Sequence, residues 1–242
     1  MAAAQSALVT GANKGIGREV VRRLAAEGFS VWLGARDAGR GTRAANELRA
    51  EGLDVQWVEI DVTRDESVAA AVRSLSRQCS HLDVLINNAG IALNYDRPPS
   101  EQIIGDIRAT YEVNVFGAIR VTQAFLPLLL AAPSARIVMV SSYSASLGRA
   151  ADRTSPSFSV NMLGYGSSKA ALNAITVSFA KELAPRGVLV NAAAPGYTAT
   201  DLNAHKGHRT VQQAAGIVVR LATLGADGPT GGYFDDDGAV PW

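Results

Sequence analysis

The sequence predicts an α/β fold, a single domain over residues 1–242 built on a doubly wound parallel sheet with helices on both faces. Short strands of almost continuously apolar residues alternate with helical segments, which is typical of a parallel sheet covered on both sides. The length of 242 residues fits one such domain, and no Pro-, Gly- or Ser-rich linker divides it. Hydrophobic residues make up 48% of the chain, enough for a large core.

The periodicity of apolar residues gives the order of the elements. Ile16, Val20 and Leu24 recur at helical spacing, and Gly28 ends that helix. Residues 103–130 are predicted to form one long helix that ends near Pro127, and residues 149–160 a surface loop. The predicted strands are 7–9, 30–33, 55–60, 84–86, 137–140 and 188–190, and the predicted helices are 16–26, 44–51, 65–75, 103–130, 163–183 and 211–224.

The charge balance and the cysteine content limit which partners and which cellular location we expect for the protein. Lys and Arg number 23 and Asp and Glu 22, so no long-range field favours nucleic acid or an anionic membrane as a partner. The single cysteine, Cys79, forms no internal disulfide and fits a reducing compartment. The first residues show no basic stretch followed by an apolar one, so we expect no secretory signal and a cytoplasmic location. His205 and His208 near Asp201 are too few for a metal site, and we expect no bound metal.

The turn after the first strand carries three glycines between a strand and a helix. Glycine lets the backbone turn tightly and approach a ligand closely, and the following helix directs free N–H groups and its positive dipole end at that ligand. Residues 10–17 read Thr-Gly-Ala-Asn-Lys-Gly-Ile-Gly, and no Gly-Lys-Ser/Thr follows, so this is no P-loop. The turn indicates nucleotide binding, with a purely structural turn as the alternative.

This turn resembles the cofactor turn of the short-chain dehydrogenase/reductase family. Further motifs follow in that family's order: Asn87-Asn88-Ala89-Gly90, Asn114, Ser141-Ser142, Tyr165-x-x-x-Lys169 and Pro195-Gly196. The resemblance covers essentially the whole chain, is strongest for the carbonyl-reductase branch, and implies a Rossmann-type fold. It implies cofactor contacts from Gly11, Asn13, Lys14, Gly15, Ile16, Gly17, Arg36, Asp61, Val62, Asn88, Ala89, Gly90, Tyr165, Lys169, Pro195, Gly196 and Thr198.

The end of the second strand indicates which dinucleotide binds. An acidic residue there holds the ribose of NAD, whereas an arginine accommodates the phosphate of NADP. This chain has Ala35 where NAD-dependent members of the family carry an acid, and Arg36 follows. With Lys14 as a second cation, the pattern favours NADP(H). In the alternative, both cations are ordinary surface charges and Asp37 binds the ribose. Asp61 also fits the N-cap of the next helix.

Tyr165 and Lys169 are four residues apart, so a helix places them on one face. A lysine ammonium about 6 Å from a phenol should lower its pKa by about two units and make Tyr165 a proton donor near neutral pH. A surface or packing role is the alternative for such a pair. The resemblance implies that Ser142 binds the substrate carbonyl, with Ser141, Ser144 and Ser146 as rivals. It also implies that Asn114 holds a water that relays protons; otherwise Asn114 is a buried side chain satisfied by the backbone.

The implied activity is reduction of a ketone or aldehyde by NADPH, with the proton from Tyr165. An alcohol dehydrogenase working oxidatively and a non-catalytic NADP-binding regulator are the alternatives. Residues 91–95, Leu147, Tyr197 and residues 201–210 are expected to line an apolar pocket for a small-molecule carbonyl substrate. Because the last of these segments is short, we expect an open site with broad substrate tolerance. The subunits are expected to form a homodimer or homotetramer, and residues 235–237 a solvated turn.

Overall fold

Seven parallel strands form one sheet at the centre of the computed structural model, which describes residues 4–242 apart from the side chains of Pro156 and Ser157. The strand order is β3-β2-β1-β4-β5-β6-β7, so the chain winds outward from β1 to one edge, returns, and winds outward again from β4. This is the predicted doubly wound topology. The strands are β1 (Ser6–Val9), β2 (Ser30–Ala35), β3 (Val55–Glu59), β4 (Val84–Asn87), β5 (Arg136–Val140), β6 (Leu189–Ala193) and β7 (Tyr233–Phe234).

Helices cover both faces of the sheet, and each face has its own apolar core. Val21, Leu48 and Val218 belong to the core on one face, and Leu75, Phe125 and Leu172 to the core on the other. The helices are α1 (Gly15–Ala26), α2 (Ala38–Ala50), α3 (Asp65–Ser76), α4 (Ile104–Tyr111), α5 (Ala118–Ala131), α6 (Leu147–Ala151), α7 (Leu163–Leu183) and α8 (Val211–Ala222). The helices α1, α2 and α8 lie on the first face, and α3, α5 and α7 on the second.

The prediction of one continuous helix over residues 103–130 that ends near Pro127 is wrong on both points. A π-helical turn, Glu112–Gly117, separates α4 from α5, and Pro127 lies inside α5, which continues to Ala131. The stretch Ile104–Ala131 has the length and composition of a membrane span, with a mean hydropathy of 1.5. Of its most apolar window, 44% is buried inside the protein, and Phe125 packs in the core, as expected of the central helix of a globular domain.

The structure corrects one other local prediction and extends another. The segment 149–160 is not a plain loop, because it begins inside α6 and includes a short 3₁₀ helix, Pro156–Ser159. The Ser146 side chain accepts a hydrogen bond from the Arg149 N–H at 3.1 Å and so starts α6. The residues predicted to lie in the second helix, 44–51, do lie in α2 except for the last, which is its C-cap; α2 begins at Ala38, where the Asp37 carboxylate caps it at the Arg40 N–H.

Candidate active site

A cavity of about 1260 Å³ lies along the edge of the sheet where the strands end. Its walls come from the segments that directly follow β1 to β6, where ligands bind in doubly wound sheets. Every residue predicted to contact the dinucleotide lines this cavity: Gly11, Asn13, Lys14, Gly15, Ile16, Gly17, Arg36, Asp61, Val62, Asn88, Ala89, Gly90, Tyr165, Lys169, Pro195, Gly196 and Thr198. Ser142 also lines it, whereas Asn114 lies behind the wall.

The glycine turn is hydrogen-bonded to the end of β4. The Thr10 hydroxyl oxygen accepts the backbone N–H groups of Asn88 and Ala89, both at 3.1 Å. The Asn88 amide donates to the carbonyls of Thr10 at 2.8 Å and Gly11 at 3.1 Å. A Cβ on Gly11 would lie 2.8 Å from the Ala89 Cα, and the φ of +63° at Gly11 also favours glycine. Only glycine therefore fits at position 11, and the backbone of the turn is left exposed to the cavity.

The N-terminus of α1 opens into the cavity beside this turn. Its N-cap residue, Lys14, has an extended backbone and provides no side-chain cap for the first-turn N–H groups. Free N–H groups at the start of a 12-residue helix form an anion site, and the close glycine backbone lets a ligand reach them. These features fit the pyrophosphate of a dinucleotide.

The two predicted phosphate-binding cations have different surroundings. The Lys14 ammonium lies 2.5 Å from the Asp201 carboxylate, so in this structure it is part of an exposed ion pair that the sequence does not predict. Arg36 is exposed at the cavity edge, near Asp61. Burial opposes ionisation of Asp61, but hydrogen bonds from Thr63 and the charge of Arg36 hold the pKa of that carboxyl below its usual range. Of these two cations, Arg36 is therefore the one that, in the part of the chain that the structure describes, could meet a bound anion without first breaking an ion pair.

Two acidic residues that the sequence left with alternative roles have defined ones here. The Asp37 carboxylate accepts the Arg40 N–H at 2.8 Å and caps α2. In the alternative in which Asp37 binds a ribose, the ribose hydroxyls would compete with this N–H for the carboxylate. The expectation that Asp61 is the N-cap of α3 is wrong, because Arg64 occupies that position. Asp61 instead accepts the Thr63 N–H at 3.0 Å and closes the turn before the helix.

Tyr165 and Lys169 lie on one face of α7, with the Lys169 Nζ 5.8 Å from the centre of the tyrosine ring. Lys169 is buried and donates to the Val140 carbonyl at 2.7 Å. Burial lowers the pKa of Lys169 to about 8. Burial also raises the pKa of Tyr165, and a hydrogen bond with Ser142 only partly opposes this. The expectation of an acidic phenol is therefore wrong in direction here, because the desolvation of Tyr165 is the larger influence.

The hydroxyl groups of the serines after β5 have different hydrogen-bond partners, and these distinguish the candidates. Ser141 donates to the Asn173 Oδ1 at 2.6 Å, and Ser146 donates to the Pro241 carbonyl at 2.6 Å, so both hydroxyls are used in the interior. The Ser142 Oγ accepts from the Ser144 Oγ at 3.0 Å and also contacts the Tyr165 phenol. Among the four candidates, Ser142 is thus the one paired with Tyr165 at the cavity.

Asn114 is only 1% exposed and lies in the π-helical turn. Its Oδ1 accepts the Ile91 N–H at 2.9 Å, and its Nδ2 donates to the Ile91 carbonyl at 2.9 Å and to the Ser168 Oγ at 3.0 Å. The backbone-satisfied alternative therefore describes its hydrogen bonds. A Cβ on Gly90 would lie 3.4 Å both from the Asn114 Oδ1 and from the Lys169 Nζ, so the two side chains meet around Gly90.

The remaining wall of the cavity is mostly apolar and aromatic. Tyr197 packs against His208, with their ring centres 6.0 Å apart, and both line the cavity, as does Tyr95. Leu147, which was expected to line it, is instead 70% exposed and lies outside the lining. Thr200 also lines the cavity, although the sequence did not predict it, and its Cγ2 lies 3.6 Å from the position of a Cβ on Gly15. Its signal was a hydroxyl residue shortly after the Pro195-Gly196 pair.

Known proteins of similar sequence and structure cover almost the whole chain. Residues 5–210 match a family model described as short chain dehydrogenase. Carbonyl reductase [NADPH] 1 of Rattus norvegicus is 32% identical, over 98% of this chain and 98% of that protein. Short-chain dehydrogenase anuI of Penicillium roqueforti is 35% identical, over 95% of this chain and 93% of that protein. The crystal structure of an NADPH-bound carbonyl reductase from chicken fatty liver aligns with a TM-score of 0.86 at 29% identity, over 99% of each chain.

Proposed function

The chain is an oxidoreductase of the short-chain dehydrogenase/reductase family, and we propose that it reduces ketones and aldehydes to alcohols with NADPH. The observation that carries this proposal is the meeting of Tyr165, Lys169 and Ser142 on the wall of the cavity into which the glycine turn opens. A proton donor, a cation and a hydroxyl placed beside a dinucleotide site are what hydride transfer to a carbonyl requires.

NADPH fits the residues that line the cofactor side of the cavity. The N-terminus of α1 and the glycine turn would hold the pyrophosphate, and Arg36 would bind the 2′-phosphate. The related rat protein is named as an NADPH enzyme, and the chicken carbonyl reductase structure contains NADPH, which supports the same cofactor here. When bound, the nicotinamide supplies the hydride.

Tyr165 would donate the proton to the carbonyl oxygen as its charge develops. A phenol ordinarily titrates near pH 10 and burial raises the pKa of Tyr165 further, so the phenol carries at neutral pH the proton that it would donate. Ser142 would hydrogen-bond the same oxygen and orient it, since its hydroxyl lies beside the phenol. Lys169, with its pKa lowered to about 8, would hold the nicotinamide ribose and replace the proton that Tyr165 gives up.

The role of Asn114 is to fix the wall behind the lysine. Its hydrogen bonds to Ile91 and Ser168 hold the segment after β4 against α7, and this places Gly90 beside Lys169. A water bound between Asn114 and Lys169 would complete the proton relay that the family resemblance implies. A homodimeric or homotetrameric state and a cytoplasmic location stay predictions.

A panel of neutral ketones and aldehydes, followed through the absorbance of NADPH, tests the proposal. Tyr165→Phe removes the proton donor and should lower kcat by about 100-fold or more in a protein that still binds NADPH. Tyr111→Phe, which removes a phenol outside the cavity lining, should keep wild-type kcat. Wild-type protein that binds NADPH but reduces no carbonyl would instead favour the non-catalytic regulator. Faster turnover of alcohols with NADP⁺ at equal saturation would favour the oxidative dehydrogenase.

A further inference from the structure

The C-terminal segment, residues 233–242, packs beneath the turn that carries Ser142. The Tyr233 hydroxyl donates to the main-chain carbonyl of Ser142 at 2.5 Å. Tyr233 is only 2% exposed, and its ring stacks on Trp242, with ring centres 5.5 Å apart and an angle of 23° between them. Pro241 and Trp242 also accept hydrogen bonds from Ser146 and Gly148, which lie just after this turn. One phenol therefore connects the end of the chain to Ser142.

Helix α7 and the C-terminal segment hold different residues at the end of β5 and in the turn that follows it. The Val140 carbonyl accepts the Lys169 ammonium at 2.7 Å, and the Ser141 hydroxyl donates to Asn173 at 2.6 Å, so α7 holds the first two residues. The Ser142 carbonyl accepts two hydrogen bonds, one from the Tyr233 hydroxyl and one, at 2.9 Å, from the Ala145 N–H within the turn. The Ser142 hydroxyl points to Ser144 and Tyr165 at the cavity. The direction of that hydroxyl is consequently set through the Ser142 main chain.

We propose that Tyr233 is a positioning residue for carbonyl reduction: its hydroxyl holds the Ser142 main chain so that the Ser142 side chain faces Tyr165. This inference rests on the proposed function. A phenylalanine would fill the same space and keep the stack on Trp242, so apolar packing alone does not require the hydroxyl. The presence of tyrosine at this position is explained by the hydrogen bond that its buried hydroxyl donates to the main chain of Ser142.

The next buried residue of the same segment holds the neighbour of Ser142. The Tyr143 hydroxyl donates to the Asp235 carboxylate at 2.8 Å, and the Arg149 guanidinium lies 4.5 Å from the centre of the Tyr143 ring. Asp235 is only 3% exposed, so the expectation that residues 235–237 form a solvated turn is wrong at its first residue. Two consecutive residues of the turn, Ser142 and Tyr143, are thus fixed from one C-terminal segment.

The test is Tyr233→Phe, assayed with NADPH and a ketone that the wild-type enzyme reduces. We expect kcat to fall about tenfold, because the Ser142 carbonyl loses the one of its two hydrogen bonds that ties it to the C-terminal segment and keeps only the Ala145 N–H, while the KM for NADPH changes by less than about twofold. In a Ser142→Ala background, Tyr233→Phe should change kcat by less than about twofold, because the hydroxyl that it positions is already gone. An equal tenfold loss in both backgrounds would overturn the proposal.

A matched control removes a different hydroxyl from the same part of the chain. Thr230 accepts the Val190 N–H at 3.0 Å and, in the part of the chain that the structure describes, makes no hydrogen bond to the Ser142 turn, so Thr230→Val should lower the melting temperature and leave kcat unchanged. If Tyr233→Phe does not fold, 4-aminophenylalanine at position 233 keeps a weaker donor and should lower kcat by about threefold in the wild-type background only. Wild-type kcat in a folded variant that lacks the hydroxyl would refute the positioning role alone. A wild-type enzyme that reduces no carbonyl would refute the proposed function itself.

Discussion

Gly17, in the first turn of α1, should be far more sensitive to alanine than other helical glycines. A Cβ at this position would lie 2.4 Å from the Asn88 Nδ2 and 3.0 Å from the Gly11 carbonyl oxygen. Asn88 would have to move and lose its hydrogen bonds to Thr10 and Gly11. Two such bonds are worth about 2 kcal/mol together, and the displaced packing costs about 1–3 kcal/mol more. Because alanine gains about 1 kcal/mol in a helix, we expect Gly17→Ala to lower the free energy of unfolding by about 2–4 kcal/mol.

Gly216 in α8 is the matched control for this substitution. A Cβ there would meet its nearest atom, the Asp236 Oδ1, at 3.6 Å, which is ordinary contact. Gly216→Ala should therefore raise the free energy of unfolding by about 0.5–1 kcal/mol. Urea unfolding followed by circular dichroism measures both variants, and fluorescence titration should show NADPH binding weakened about tenfold or more in Gly17→Ala alone. A Gly17→Ala protein as stable as Gly216→Ala would refute the link between Asn88 and the glycine turn.

Three further substitutions test the charges around the cavity. Arg36→Asp should weaken NADPH binding by about tenfold or more, because the new carboxylate repels the 2′-phosphate, and unchanged affinity would remove Arg36 from the cofactor site. Asp201→Asn frees the Lys14 ammonium and should tighten NADPH binding by about threefold, whereas weaker binding would give Asp201 a direct role. Between pH 8 and 10 the unfolded chain binds a proton that folded Lys169 has lost, so wild-type stability should rise by about 2 kcal/mol relative to Lys169→Met in urea titrations. A constant difference over that range would mean that Lys169 titrates normally.

The fold and the cofactor side of the site could be predicted because their signals are local. The helix at 163–183 has the predicted bounds, since its apolar spacing is continuous over the whole segment. The glycine turn has a sequence pattern whose conformation needs glycine, and each strand end leads directly to the cavity. The topology then brings together residues that are far apart in the sequence.

The features that the sequence did not predict depend on contacts between distant segments. The ion pair between Lys14 and Asp201 joins positions 187 residues apart, and no local pattern indicates it. Asp235 is buried because the Tyr143 hydroxyl, 92 residues away in the sequence, donates to its carboxylate. Without that partner, an Asp-Asp-Asp sequence is typical of a solvent-exposed turn. The phenol of Tyr165 was expected to be acidic because its helical spacing from Lys169 is visible in the sequence, whereas the burial that dominates its pKa is not.

A single-turnover experiment with NADPH deuterated at the transferable position tests the central claim most directly. Enzyme, deuterated NADPH and a reducible ketone are mixed, and the alcohol is analysed by mass spectrometry and proton NMR. The account predicts one deuterium on the carbinol carbon from wild-type protein and almost no labelled alcohol on the same timescale from Tyr165→Phe, although both proteins bind NADPH. Alcohol without deuterium at that carbon, or equal labelled yield from the two proteins, would contradict it.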